Sequence, residues 1–156
     1  MGIVTRSITL KLQNLLDHSC QHTAFIDGSW MTQSKNQVKA GVGGVLKLMH
    51  FAGSVLAPND FLSELEALST MVEIYFASKW KDYSLRIYSD SACLIENVIL
   101  YKKGKSHSLP LEIPLLSHLA TFSWELCKID RNFNKEACGL AKVGAIGNGL
   151  QIFWAD

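Results

Sequence analysis

Three strand-like stretches crowd ahead of one long amphipathic helix, and that order limits the chain more than any other feature. Between Asn59 and Trp80, Leu62, Leu65, Leu68, Met71, Val72 and Tyr75 fall on one broad apolar stripe at 3.6-residue spacing. Asn59 or Asp60 supplies a side-chain oxygen to cap the first turn. A helix with one apolar stripe must bury it against another layer, and the preceding strands offer a sheet. The segment "HTAFIDGSW" (22–30) is rich in β-branched and aromatic residues and reads as a strand ending at Asp-Gly. "AGVGGVLKLMHF" (40–51) reads as a second strand, its glycines allowing close strand packing or a bulge, and "GSVLAP" (53–58) as a third. Together they predict an antiparallel meander.

Beyond the helix, "SLRIYSD" (84–90) is a strand, parallel to the first if the helix is a crossover. "SACLIENVILY" (91–101) is a helix capped by Asp90 or Ser91. A basic loop with Lys102, Lys103, Lys105 and His107 leads to a helix over 110–122, with Pro110 near its start. "SWELCKIDRN" (123–132) is a strand with alternating faces, and "KEACGLAKVGAIG" (135–147) is a last helix ended by glycines. The sum is an α/β chain: a mixed sheet with helices on both faces. Ile8, Leu12, Leu15 and Leu16 share helical spacing, so residues 1–22 read as an N-terminal extension or short helix. Residues 23–146 form the domain and 147–156 a tail, its "LQIFWA" serving as an added sheet-edge element or a binding segment.

Length and composition fit one globular domain. The chain has 156 residues, 48% hydrophobic and 19% charged, enough for a core and unlike a disordered segment. A net charge of +1 means that any nucleic-acid surface must be local. No two of Cys20, Cys93, Cys127 and Cys138 stand at zinc-binding spacing. Scattered single thiols fit a reducing intracellular compartment, the nucleus or cytoplasm first and an organelle as the alternative; Cys20, Cys93 and Cys127 read as small buried hydrophobes. No apolar run reaches membrane-spanning length, so no membrane partner is expected.

Three acids stand at element ends. Asp27 closes the first strand, Asp90 closes the fourth, and Glu64 lies on the first turns of the main helix, offset from its apolar stripe. With those strands adjacent and parallel, Asp27 and Asp90 come side by side at one sheet edge, where functional groups gather, and Glu64 can lean over it. Taken singly, each has an ordinary structural role: a turn, a helix-surface acid and an N-cap. Taken together, hard oxygen ligands at this density suit Mg2+, with Mn2+ as the alternative. Two such ions can activate a water and stabilise the leaving oxygen in phosphodiester cleavage.

In the order "FIDGSW", "AGVGGVL", "SELEAL", "LRIYSDSACLIENVI" and "RNFNKEACGLAKVG", roughly residues 23–145 resemble the plant ribonuclease H-like domain of the retroelement-derived type. The resemblance implies a five-stranded mixed sheet, antiparallel over its first three strands and flanked by helices. It further implies Mg2+-dependent endonucleolytic cleavage of the RNA strand of RNA–DNA hybrids. It makes Asp27 the bridging metal ligand, Glu64 a metal ligand that also meets the RNA strand, and Asp90 a metal ligand. It assigns Gly28, Ser29 and Ser91 to substrate binding, the first two where backbone approaches the minor groove and its 2′-hydroxyls. Glu64 is preferred to Glu66 because "SELEAL" aligns on it; Glu66 is then a solvated helix residue.

The family's last motif carries a fourth Asp two residues before Leu-Ala, and Cys138 stands there in "NKEACGLA". Soft sulfur is a poor ligand for a hard cation. Glu136 stands roughly 200° away around a helix and does not substitute without rearrangement. Two readings follow. One is a slow but active two-metal ribonuclease H. The other, slightly favoured, is a divergent, catalytically weakened descendant that binds an RNA–DNA hybrid, a structured RNA or a protein partner.

Overall fold

The structure, a computed structural model, describes residues 22–34, 37–77, 84–102 and 123–154. The expected leading helix, most of the basic loop after 102, the helix expected over 110–122, Cys20 and Trp80 lie outside the described residues. The elements are β1 (His22–Ser34), β2 (Gln37–Leu46), β3 (Met49–Val55), α1 (Asp60–Ala77), β4 (Ser84–Ser89), α2 (Ala92–Lys102), β5 (Ser123–Lys128), a 3-10 turn (Arg131–Phe133), α3 (Lys135–Ile146) and β6 (Leu150–Trp154). The sheet runs β5-β4-β1-β2-β3-β6. β1, β2, β3 and β6 pair antiparallel, while β4 pairs parallel to both β1 and β5.

The mixed sheet, the antiparallel meander and the parallel crossover through α1 are as expected, with four local differences. The resemblance implies five strands and six are present: the apolar stretch 150–154 pairs with β3 as a sheet-edge element, one of the two roles expected for it. The expected second strand is two strands, because the chain reverses at Lys47–Leu48. That two-residue turn has no glycine; Lys47 itself takes φ 53 in the left-handed region. β1 does not stop at Asp-Gly but continues to Ser34, held by its ladder to β2. The strand expected over 123–132 ends at Lys128, where Asp130 caps the 3-10 turn by accepting from the Asn132 N–H.

α1 covers one face of the sheet. Leu65, Leu68, Met71, Val72 and Tyr75 are fully buried against Ile26, Val42, Leu46, Phe51 and Ile87, with Leu62 half-buried at the margin. Asn59 caps the helix, accepting from the Leu62 N–H at 2.9 Å. The opposite face is covered by α3, and here the β2 glycines find their use. A Cβ on Gly41 or Gly43 would strike the α3 backbone at Ala137, Ala141 and Ala145, so these positions admit a helix rather than a neighbouring strand or a bulge. Ala137, Ala141, Gly144 and Ala145 form the small-residue face that meets them.

Candidate functional site

The site is built where the parallel ladder runs out. The β1–β4 pairing ends at Phe25↔Tyr88, whereas β1 continues beside β2 through Asp27↔Gly43 and Gly28↔Val42. Past Phe25 the β4 side of β1 is open. Asp90 sits one residue beyond β4, at that open edge, and α1 crosses it with Glu64. Oxygen atoms of Asp27, Glu64 and Asp90 all lie within 4.8 Å of one another. The three acids selected from sequence are therefore brought together, and Glu66 is not among them. Glu66 is half-buried rather than solvated, and burial followed by the charge of Glu73 raises its carboxyl above the ordinary value.

Gly28 locks the helix onto the strand. A Cβ there would lie 2.5 Å from the Glu64 backbone nitrogen, so only glycine lets α1 approach this closely. The Gly28 N–H then donates to Glu64 Oε2 at 3.0 Å and fixes the carboxyl beside Asp27. Ser89 and Ser91 shape the turn carrying Asp90. The Ser91 N–H donates to Ser89 Oγ at 3.1 Å, and Ser91 Oγ accepts from the Leu94 N–H at 3.2 Å, making Ser91 the N-cap of α2.

The acids crowd one another, and the exposed Arg131 faces Asp90 and Asp27 as a partial counter-charge. Burial, and then the Asp27 charge, push the Glu64 carboxyl up to about 10. Burial, and then Asp90, raise the Asp27 carboxyl as well. Asp90 Oδ2 is buried and has no hydrogen-bond partner. An orphaned carboxylate oxygen beside two acids raised by crowding fits the donor set of one hard divalent cation. The fourth position does not extend that set. Cys138, on the first turn of α3, lines the cleft beside Asp27 and Arg131, both of which act on its thiol. Burial, and then Asp27, raise its thiol, so it stays neutral and offers no hard ligand.

Asn134 anchors this arrangement. It is 1% exposed, and its Nδ2 donates to the Ile26 carbonyl at 2.9 Å, tying the start of α3 to β1 one residue from Asp27. A cleft of about 270 Å³ opens beside Asp27, lined also by Gly28, Ser29, Asp60, Arg131, Cys138 and Lys142, among others. Trp30 borders it too, but its indole N–H is pinned to the Ala57 carbonyl at 3.0 Å. The convergence of Arg131 and Lys142 on Cys138 has no sequence signal beyond their helical spacing, and it was not expected. Of the thiols expected to be buried, Cys93 is exposed and Cys127 half-buried.

No protein-family profile matches the sequence, and no curated protein matches it. Solved structures do. Ribonuclease H1 of the halophilic archaeon Halobacterium salinarum superimposes with a TM-score of 0.61 at 18% identity, over 80% of this chain and 96% of that one. The fold is ribonuclease H-like. LC11-RNase H1 in complex with an RNA/DNA hybrid gives a TM-score of 0.56 at 19% identity, over 80% of this chain and 96% of that one. The foamy viral protease-reverse transcriptase with an RNA/DNA hybrid gives 0.64 at 12% identity, over 85% of this chain and 21% of that much longer one. No described helix is long and apolar enough to cross a membrane.

Proposed function

We propose that this domain binds nucleic acid, an RNA–DNA hybrid or a structured RNA. We propose further that it descends from a Mg2+-dependent endonuclease acting on the RNA strand of hybrids, of the plant retroelement-derived type. Its hydrolysis is weakened by Cys138. The observation that carries this reading is the Asp27–Glu64–Asp90 cluster at the open edge of β1, with a neutral thiol on its fourth side.

Asp27, Glu64 and Asp90 would hold one divalent cation, Mg2+ or Mn2+, which supplies charge neutralisation and a polarised water when bound. Asp27, which lies beside both Glu64 and Cys138, would be the bridging ligand if a second cation joined the first. Gly28 and Ser29 line the cleft beside it, leaving room for a strand to approach. Ser91 fixes the turn that aims Asp90. What the site lacks is a hard ligand on the α3 side, so a second cation has no complete donor set there.

The test is cleavage of an end-labelled RNA–DNA hybrid in Mg2+ and in Mn2+, with Asp27→Asn as the control. The reading expects slow or no cleavage in the parent and a gain in Cys138→Asp. Rapid parental cleavage that vanishes in Asp27→Asn would establish the active two-metal enzyme instead. Failure of Cys138→Asp to gain cleavage, with hybrid binding intact, would favour a purely binding role.

A further inference from the structure

The wall of the cleft opposite the acids is cationic. Lys135, Cys138, Gly139 and Lys142 recur at helical spacing and lie within about 100° on one side of α3. Arg131, on the preceding 3-10 turn, joins them by its contact with Cys138. Arg131, Cys138 and Lys142 line both the cleft over Asp27 and a second recess beside it, and Lys135 and Gly139 line that recess. All three cations are exposed, and none lies within ion-pair distance of a carboxylate among the described residues, while Asp90 and Asp27 act on Arg131 at longer range. Glu136, the one acid of α3, is a full 100° or so around the helix from Lys135.

Gly139 adds an independent observation. Gly41, Gly43 and Gly144 are required by backbone contact, but a Cβ on Gly139 would meet nothing within 4 Å. A mid-helix glycine is unfavourable, and no packing within the fold offsets it here. What its missing side chain leaves is a bare strip of helix between two lysines.

We propose that Arg131, Lys135 and Lys142 form a phosphate-binding rim, with Gly139 as its floor, that grips a backbone phosphate of an RNA–DNA hybrid without a metal ion. The inference rests on the nucleic-acid reading above and deepens it by naming the contact. With a thiol at 138, no carboxylate stands at the centre of these cations; Asp90 and Asp27 act on Arg131 from across the cleft, and the exposed Lys135 and Lys142 leave field for an external anion. The neighbouring acids set the register: a strand held on the rim has its adjoining backbone over Asp27.

Fluorescence anisotropy of a labelled RNA–DNA hybrid, in EDTA across a NaCl series, tests this. The parent is compared with an Arg131→Gln/Lys135→Gln/Lys142→Gln triple variant and with Gly139→Leu, each checked for a parental thermal melt. The rim predicts a loss of at least tenfold in affinity for the triple variant. It also predicts a slope of log affinity against log salt shallower by about 1. Gly139→Leu should weaken binding without changing the charge. Parental affinity and slope in the triple variant would overturn the rim and leave the nucleic-acid reading standing. Tripolyphosphate titration, followed by the amide resonances of Cys138 and Gly139, separates the remaining cases. Saturable shifts lost in the triple variant, in a protein that ignores the hybrid, would show an anion site there but overturn the rim as a hybrid contact together with the nucleic-acid reading. No shifts and no hybrid binding would remove both.

Discussion

Glu64 makes the most quantitative demand on the fold. Its carboxyl sits near 10 in the folded, metal-free chain, against an ordinary value of 4.5. Between those two values the folded state binds about one proton more than the unfolded chain. Unfolding free energy therefore falls as pH rises. The stabilising effect of the bound proton is full below the unfolded value and is lost as pH passes the folded one. One proton corresponds to about 1.4 kcal/mol per pH unit, or about 2.7 kcal/mol between pH 6 and 8. Glu64→Gln removes the titration but keeps an oxygen for the Gly28 N–H. Asp27 is raised in the same direction by burial and Asp90, so the variant keeps a residual slope at the acid end. Urea unfolding in EDTA, read by tryptophan fluorescence at pH 6, 7 and 8, should show the parent weakening steeply and Glu64→Gln staying nearly level. Saturating Mg2+ should flatten the parental profile, because a cation offsets the repulsion the proton had relieved. Parallel profiles for parent and variant in EDTA would refute this account of the cluster.

Three further substitutions probe the scaffold. Gly28→Ala places a Cβ 2.5 Å from α1 backbone, so unfolding should be easier by roughly 1–3 kcal/mol and the bond to Glu64 should break, both visible by denaturation and amide exchange. Asn134→Ala deprives the buried Ile26 carbonyl of its donor; denaturation should show a loss of about 1–3 kcal/mol. Gly139→Ala meets open space inside a helix, and thermal melting should show stabilisation of up to about 1 kcal/mol.

The acids were legible because Asp90 follows a strongly patterned strand, Glu64 lies on the first turns of α1, and the parallel crossover sets β4 beside the strand that carries Asp27. The apolar stripe of α1 was equally plain, and five of its six named residues are fully buried. Less visible was whatever depends on a neighbour distant in sequence. Asp27-Gly28 has turn chemistry, yet it lies mid-strand because the ladder to β2 carries on and α1 needs a glycine beneath it. Lys47–Leu48 reverses the chain without turn residues, since pairing of β2 and β3 on either side dictates it. β6 is short, and its alternation of Leu150, Ile152 and Trp154 fits a sheet-edge element and a binding segment alike, so pairing with the free edge of β3 decides it. Arg131 reaches Cys138 because Asp130 turns the chain into a 3-10 coil, a single capping bond that composition does not announce.

Cys138→Asp ties the metal site and the rim together and should move them in opposite directions. Cys138 stands between Asp27 and Arg131, and Lys142 also acts on its sulfur. An aspartate there supplies the missing hard oxygen, so Mg2+ affinity should rise, which calorimetry measures directly. The same carboxylate would pair with Arg131 and lie close to Lys142, cancelling part of the rim's field. Hybrid affinity in EDTA should then fall, by about tenfold if one phosphate contact is lost at a typical charge-assisted strength of roughly 1.5 kcal/mol. Cys138→Ser, neutral like the parent, should leave metal-free binding near the parental value. The thiol is then a divider that keeps a fourth acid from neutralising the cations, of which Arg131 already feels Asp90 and Asp27. A Cys138→Asp protein that binds both Mg2+ and the metal-free hybrid more tightly would refute that separation, because a new negative charge cannot strengthen a cationic grip on phosphate.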